Sequence, residues 1–237
     1  MATQTLLFAD MEPEQTLDFP APLTERYRPA HIADFAGLSE VKRVLTGYAQ
    51  RPTDAGFLFV GPAGTGKTSM ALALASEIGG FVHHIPAGKC TVEAIRAVVY
   101  SCWYCPPQGY KRHIVLIDEA DQMSQAAQLA CLSYLDGTEG VPGVSWLFTC
   151  NDVSRLADRF VSRNRVLNFS TYGIQAEAAK LLESVWDAEQ SQIIAGLEDG
   201  QSAVNLRPNC ARIVKEQNGN VRAALMVLET RLMAALG

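Results

Sequence analysis

The chain has 237 residues, 48% of them hydrophobic and 19% charged, with a formal net charge of −5 at pH 7; that is enough for one large core plus a small second domain. No uninterrupted apolar stretch approaches a membrane span, and Met1 to Asp18 lacks the basic start and apolar centre of a signal peptide. The expectation is a soluble protein of the cytoplasm, or of the nucleoplasm in a eukaryote, with no membrane partner. Lys and Arg form no dense run, which argues against strong DNA binding by a monomer, although a ring can gather one basic residue from each subunit.

Residues 1–25 carry Asp10, Glu12, Glu14, Asp18 and Glu25 with no Lys or Arg, and Pro13, Pro20 and Pro22 interrupt them. This composition predicts an extended or disordered acidic tail. Residues 26–170 alternate apolar runs with helical patterns, the signature of a parallel αβα sandwich. The predicted strands are 57–60, 81–85, 114–118, 145–149 and 165–169, which make a five-stranded sheet. The predicted helices are 39–50, 67–78, 92–101 and 124–135. Residues 171–237 show no strand signal but three helical patterns, about 173–194, 206–217 and 219–236, which form a small all-helical domain. No internal repeat is present.

Two motifs carry chemistry. Gly61-Pro62-Ala63-Gly64-Thr65-Gly66-Lys67-Thr68 matches G-x-x-x-x-G-K-[ST], the phosphate-binding P-loop. It lies between the apolar run Phe57 to Val60 and a helical pattern that opens at Lys67-Thr68-Ser69. The glycines let backbone N–H groups turn toward phosphates, and the helix N-terminus adds a partial positive charge. Lys67 can reach the outer phosphates, and the Thr68 hydroxyl can ligate Mg²⁺. Further along, Ile114-Val115-Leu116-Ile117 runs into Asp118-Glu119. A buried parallel strand opens at its C-terminal end onto the ligand crevice. There Asp118 can hold Mg²⁺, directly or through water, and Glu119 can polarise an attacking water.

Six cysteines are scattered along the chain: Cys90, Cys102, Cys105, Cys131, Cys150 and Cys210. In an intracellular protein they are expected to be reduced. Cys102-Trp103-Tyr104-Cys105 has metal-ligand spacing, and His83, His84, Cys90 and His113 lie nearby in sequence. A structural zinc needs four converging ligands, and no second C-x-x-C pair exists. The expectation is therefore free thiols without metal.

The stretches around these motifs resemble the AAA+ ATPases, most closely the small subunits of clamp loaders of the replication factor C type. Glu25-Arg26-Tyr27-Arg28-Pro29 is similar to that family's E-K-Y-R-P motif, and Asp34-Phe35-Ala36-Gly37-Leu38 to the segment after it. The resemblance implies that Arg28 and Pro29 border an adenine. Asp118-Glu119-Ala120-Asp121 is similar to the D-E-A-D box, with Ala127-Gln128 at the family's spacing after it. Thr149-Cys150-Asn151 stands at sensor 1, Ser162-Arg163-Asn164 at the S-R-C motif, and Gly219-Asn220-Val221-Arg222-Ala223-Ala224-Leu225 at sensor 2.

The resemblance covers about 26–237. It implies an ATPase that, with Mg²⁺, converts ATP and water to ADP and phosphate, with the helical domain as a lid. Asn151 would hydrogen-bond the attacking water or the γ-phosphate. Arg163 would be an arginine finger reaching a neighbouring subunit's nucleotide, an effect of ~10³–10⁵ in rate; Arg159 and Arg165 are alternatives close by. Arg222 would touch the phosphates of its own subunit.

Departures from the family bear on partners. The sequence stops at Gly237, after the sensor 2 helix, so the expectation is a relative without the collar domain. The family's basic pair after the D-E-A-D box is replaced by the uncharged Ala130-Cys131-Leu132-Ser133, and the cysteine of S-R-C by Asn164. Gln4-Thr5-Leu6-Leu7-Phe8 resembles the Q-x-x-L-F peptides that dock into sliding clamps, where Leu7 and Phe8 would be anchors. The leading expectation is an oligomeric ATPase of DNA metabolism that remodels a partner. The alternative is an ATP-gated assembly scaffold, such as a transposition regulator or helicase loader, in which hydrolysis only disassembles the oligomer. A third reading, a subunit that does not hydrolyse, is opposed by the intact Lys67, Asp118, Glu119 and Arg163.

Overall fold

The computed structural model describes residues 21–137, 139–196 and 208–236; the Gln4–Phe8 peptide lies outside them. Five strands pair in parallel: β1 Gly56–Val60, β2 Gly80–Pro86, β3 Arg112–Asp118, β4 Val144–Cys150 and β5 Arg165–Asn168. Their order is β2-β3-β4-β1-β5. The three central strands are apolar on both faces because helices cover both, so they read as continuous hydrophobic runs. The edge strand β5 is mostly exposed.

Among the helices, α1 is Leu23–Arg26, α2 Ser39–Gln50, α3 Lys67–Glu77, α4 Val92–Cys102, α5 Gln125–Leu135, α6 Asp158–Val161, α7 Gln175–Gly196, α8 Cys210–Glu216 and α9 Val221–Leu236. Side-chain caps fix several starts by satisfying backbone N–H groups that have no partner within the helix. Thr91 accepts from the Ala94 N–H at 3.1 Å, Ser124 from Ala127 at 3.2 Å and Asn209 from Arg212 at 2.9 Å.

The sheet divides the sandwich core in two. Leu58, Val115, Ile117 and Phe148 face Ile95, Val99 and Cys131 on one side. Phe57, Phe59, Ile114 and Leu116 face Leu45, Met70 and Leu74 on the other. A third cluster belongs to the lid, where Leu182, Val185 and Trp186 of α7 pack on Ile213, Val214, Leu225 and Leu228.

Leu23, in the stretch whose composition predicts an extended tail, is buried in this lid cluster, which explains the helical turn at Leu23–Arg26. The residues that follow it tie lid to sandwich. Glu189 of α7, itself buried, accepts from Arg26 Nη2 at 2.5 Å and from the Tyr27 hydroxyl at 2.6 Å. Glu177 accepts the Gly37 N–H. Gly37 sits at φ 63°, where a side chain is disfavoured, and a Cβ there would lie 2.9 Å from Ile174 Cβ. The lid therefore rests on the chain that leads into the sandwich.

Candidate functional site

The strand order puts the P-loop and the acidic motif together. β4 lies between β1 and β3, so the ends of all three open on one edge of the sheet, the usual ligand crevice of such sheets. There residues 61–66 lead from β1 into α3, Asp118 ends β3, and Thr149 and Cys150 end β4.

Each side chain in this crevice has a defined partner. Lys67 is buried, and its Nζ donates to the Gly61 carbonyl at 2.7 Å, the Pro62 carbonyl at 2.9 Å and Asn151 Oδ1 at 3.0 Å. Burial holds its ammonium below the ordinary lysine value, while Cys150, Asp118 and Asp121 act in the opposite direction. Thr68 Oγ1 donates to Asp118 Oδ1 at 2.8 Å. The same carboxylate oxygen accepts from the Thr149 hydroxyl, which in turn accepts the Glu119 N–H at 3.0 Å. Glu119 is exposed, in the left-handed region at φ 57°, a conformation that turns the chain out of the strand.

Two adjoining cavities follow the crevice. One, of about 120 Å³, is lined by the P-loop residues Ala63, Gly64 and Gly66, by Lys67, Thr68 and Ser69, and by Asp118, Glu119, Asn151 and Arg222. The other, of about 300 Å³, continues under the lid between Tyr27, Arg28, Pro29, Phe35, Ile174 and Leu225. Gly64, Gly66, Ser69 and Arg222 line both. A polar compartment thus opens into a more apolar one, the shape expected of a site that fixes charged groups at one end and a flat ring at the other.

The lid reaches the P-loop directly. Asn220 caps α9 through the Ala223 N–H at 3.0 Å. Its side chain also lies against Gly64, which stands at φ 77°; a Cβ on Gly64 would be 1.9 Å from Asn220 Oδ1. Glycine is required there for both reasons.

Thr68 and Asp118 supply hard oxygen donors 2.8 Å apart, a set that suits Mg²⁺. Most residues predicted from sequence for a nucleotide site line these two cavities; Gly61 and Pro62 do not line them but join the cluster through their carbonyls, which accept from Lys67 Nζ, and Arg163 stands apart. Arg163 lines neither cavity; it pairs with Asp136 and donates to the Arg159 carbonyl at 2.9 Å, with its side chain about one-third exposed.

Sequence reasoning missed the roles of Thr149 and Gln128. Gln128 is buried in α5 and reaches three backbone groups: the Met123 carbonyl at 3.3 Å, the Arg155 carbonyl at 3.2 Å and the Ala157 N–H at 2.9 Å. It joins the segment after Glu119 to the segment leading to Arg163. A buried glutamine amid an apolar helix pattern was the available signal.

These features define a P-loop nucleotide-binding αβα domain under a helical lid. Residues 57–172 match the ATPase family associated with various cellular activities (AAA), and the chain carries an AAA ATPase domain. It is distantly related to replication factor C small subunits. It is 26% identical over 211 residues to that of Halobacterium salinarum, covering 86% of this chain and 61% of the relative. It is 30% identical over 190 residues to that of Archaeoglobus fulgidus, covering 76% and 57%. The chain thus spans little more than half the length of these relatives. In fold it is similar to the Thermotoga maritima RuvB Holliday junction branch migration motor, with a TM-score of 0.64 at 21% identity, covering 85% of this chain and 63% of that one.

Proposed function

We propose that the chain binds ATP with Mg²⁺ and hydrolyses it between subunits of an oligomer that works in DNA metabolism of the clamp-loader kind. One observation carries the reading: Lys67, Thr68, Asp118, Glu119, Asn151 and Arg222 converge on one polar compartment. In this reading the ring of the nucleotide enters the larger cavity beside Tyr27, Arg28 and Pro29. The phosphates lie over the backbone of Gly61-Pro62-Ala63-Gly64-Thr65-Gly66. Lys67, already aimed at this loop, exchanges its carbonyl partners for phosphate oxygens.

Thr68 and Asp118 are the residues that would hold Mg²⁺, which supplies charge neutralisation of the phosphates when bound. Glu119 takes the proton of the attacking water as general base. Asn151 positions that water or the γ-phosphate, and Arg222 makes phosphate contact report on the lid. Arg163 stands apart from its own cleft, which suits a finger given to a neighbour once its Asp136 pair opens. DNA contact belongs to the assembled form, because the chain has no basic run. A sliding clamp bound through Gln4-Thr5-Leu6-Leu7-Phe8 is the partner that the tail peptide suggests.

The test is ATPase rate against protein concentration, with particle mass measured with and without a non-hydrolysable ATP analogue. The proposal expects a rate that rises more steeply than concentration and a heavier particle with the analogue. A rate strictly proportional to concentration from a monomer would reject hydrolysis between subunits.

A further inference from the structure

The sheet edge away from the nucleotide crevice holds a second cluster of reactive groups. His83 of β2, His113 of β3 and Cys102 at the end of α4 bring their ligand atoms within 4.8 Å of one another. The register explains the meeting: Phe81 pairs with His113 and His83 with Val115, so the two histidines project from adjacent strands onto one face. That face is the one α4 covers, and Cys102 is its last residue. His113 and Cys102 are buried, and His83 is half-buried.

We propose that His83, His113, Cys102 and Cys105 form a structural site for zinc or a similar soft divalent ion. His83 Nε2 stands 2.9 Å from His113 Nδ1. His113 Nε2 donates to the Tyr104 carbonyl at 2.9 Å, which places the proton on Nε2 and leaves the Nδ1 lone pair toward His83 and Cys102. An N–H held by a backbone carbonyl is the usual support of a metal-ligating histidine. Zinc bonds of about 2.0–2.3 Å give tetrahedral ligand spacings of roughly 3.3–3.8 Å, so the His–His distance need open only slightly.

The surroundings of His83 are apolar. Phe81 sits edge-on to His83 with ring centres 5.0 Å apart, and burial together with His113 lowers the His83 value. Burial pushes the Cys102 thiol up to about 11, so the ion would have to displace a proton there, as metals do at thiol sites. Cys105 lies outside the close set. It is exposed and follows Cys102 in C-x-x-C spacing, and the loop that carries it is the part that would close the fourth position. Sequence spacing alone shows one C-x-x-C and no partner pair; the two histidines join it only because β2 and β3 are neighbours. The ion would fix the 103–111 connection, which presents Trp103, Tyr104 and Tyr110 to solvent. The inference is independent of the nucleotide reading.

The experiment uses the full chain purified without chelator. Elemental analysis should find about one zinc per chain, and Co²⁺ added to metal-stripped protein should give the strong visible bands of a tetrahedral site with a thiolate-to-cobalt charge-transfer band. Cys105→Ser, at an exposed position, should weaken the charge-transfer band while the fold persists. His83→Gln, on the half-buried edge strand, should lower Co²⁺ affinity at least about tenfold. Substoichiometric zinc with only the pale spectrum of hydrated Co²⁺ would overturn the proposal and leave a hydrogen-bonded histidine pair. An unchanged charge-transfer band in Cys105→Ser would overturn the four-ligand assignment.

Discussion

Thr149 and Asp118 meet across β4 and β3, and the Thr149 hydroxyl bridges the acidic motif by donating to Asp118 Oδ1 and accepting the Glu119 N–H at 3.0 Å. Thr149 is 1% exposed, so water cannot substitute for it. Thr149→Val keeps the shape but takes the acceptor away from the Glu119 N–H and removes one donor from the carboxylate. A bond to a charged group contributes about 1.5–3 kcal/mol, so ATP turnover should fall roughly 10- to 100-fold, with a lowered Tm. Thr149→Ser should retain most activity. Steady-state rates and thermal melts of the two variants check this; equal activity in Thr149→Val would remove Thr149 from the site.

Lys67→Ala should abolish stabilisation by nucleotide. A ligand at ~100 Kd adds about 2.7 kcal/mol, which a melt with and without ATP reads directly. Persistent stabilisation in the variant would sink the P-loop assignment.

Lys67 also gives binding a pH signature. Burial lowers its value below 10.5 in the free protein, whereas phosphates favour the charged form. Below the lowered value Lys67 is charged with or without nucleotide, so binding moves no proton through it. Between that value and the value in the complex, ATP binding takes up a proton. Calorimetry in buffers of different ionisation heat, run in alkaline solution up to the ordinary lysine value, should show uptake that disappears well below the lowered value, where Lys67 is charged with or without nucleotide.

Glu189 holds Arg26 and Tyr27 against the lid. Glu189→Gln keeps the size but removes the charge. The Arg26 side chain is 32% exposed, so solvent offsets part of the loss, and a cost of about 1–2 kcal/mol is expected. Hydrogen exchange should rise in α7 and residues 22–38, and ATP affinity should weaken because Arg28 and Pro29 wall the cavity. Unchanged exchange would make Glu189 incidental.

Much of this site was legible in the sequence because its parts are local. The strands from Phe57 and Ile114 were readable as apolar runs because both faces are buried, and the P-loop because eight consecutive residues carry it. What escaped depends on which strands are neighbours. Thr149 reaches Asp118 only because β4 inserts between β1 and β3. Asn220 meets Gly64, and Glu189 meets Arg26, across more than 150 positions of sequence. His83 and His113 pair because β2 is the edge beside β3. Most element ends shifted by a residue or two, as at β5, where Phe169 still donates to the Val60 carbonyl at 2.6 Å just past the strand, while α8 starts at Cys210 rather than 206. Such ends are set by single bonds rather than by periodicity.

The most direct test of hydrolysis between subunits is a mixture of two inactive variants. Arg163→Ala lacks the finger and Glu119→Gln lacks the base, so each alone should turn over ATP at a small fraction of the wild-type rate. A mixed interface pairs an intact Glu119 on one subunit with an intact Arg163 on the next. Titrating one variant into the other, with assembly of each verified by particle mass, should restore a peak of activity at intermediate ratios. Two well-assembled variants that stay inactive at every ratio would contradict the account and return Arg163 to its own chain as a surface partner of Asp136.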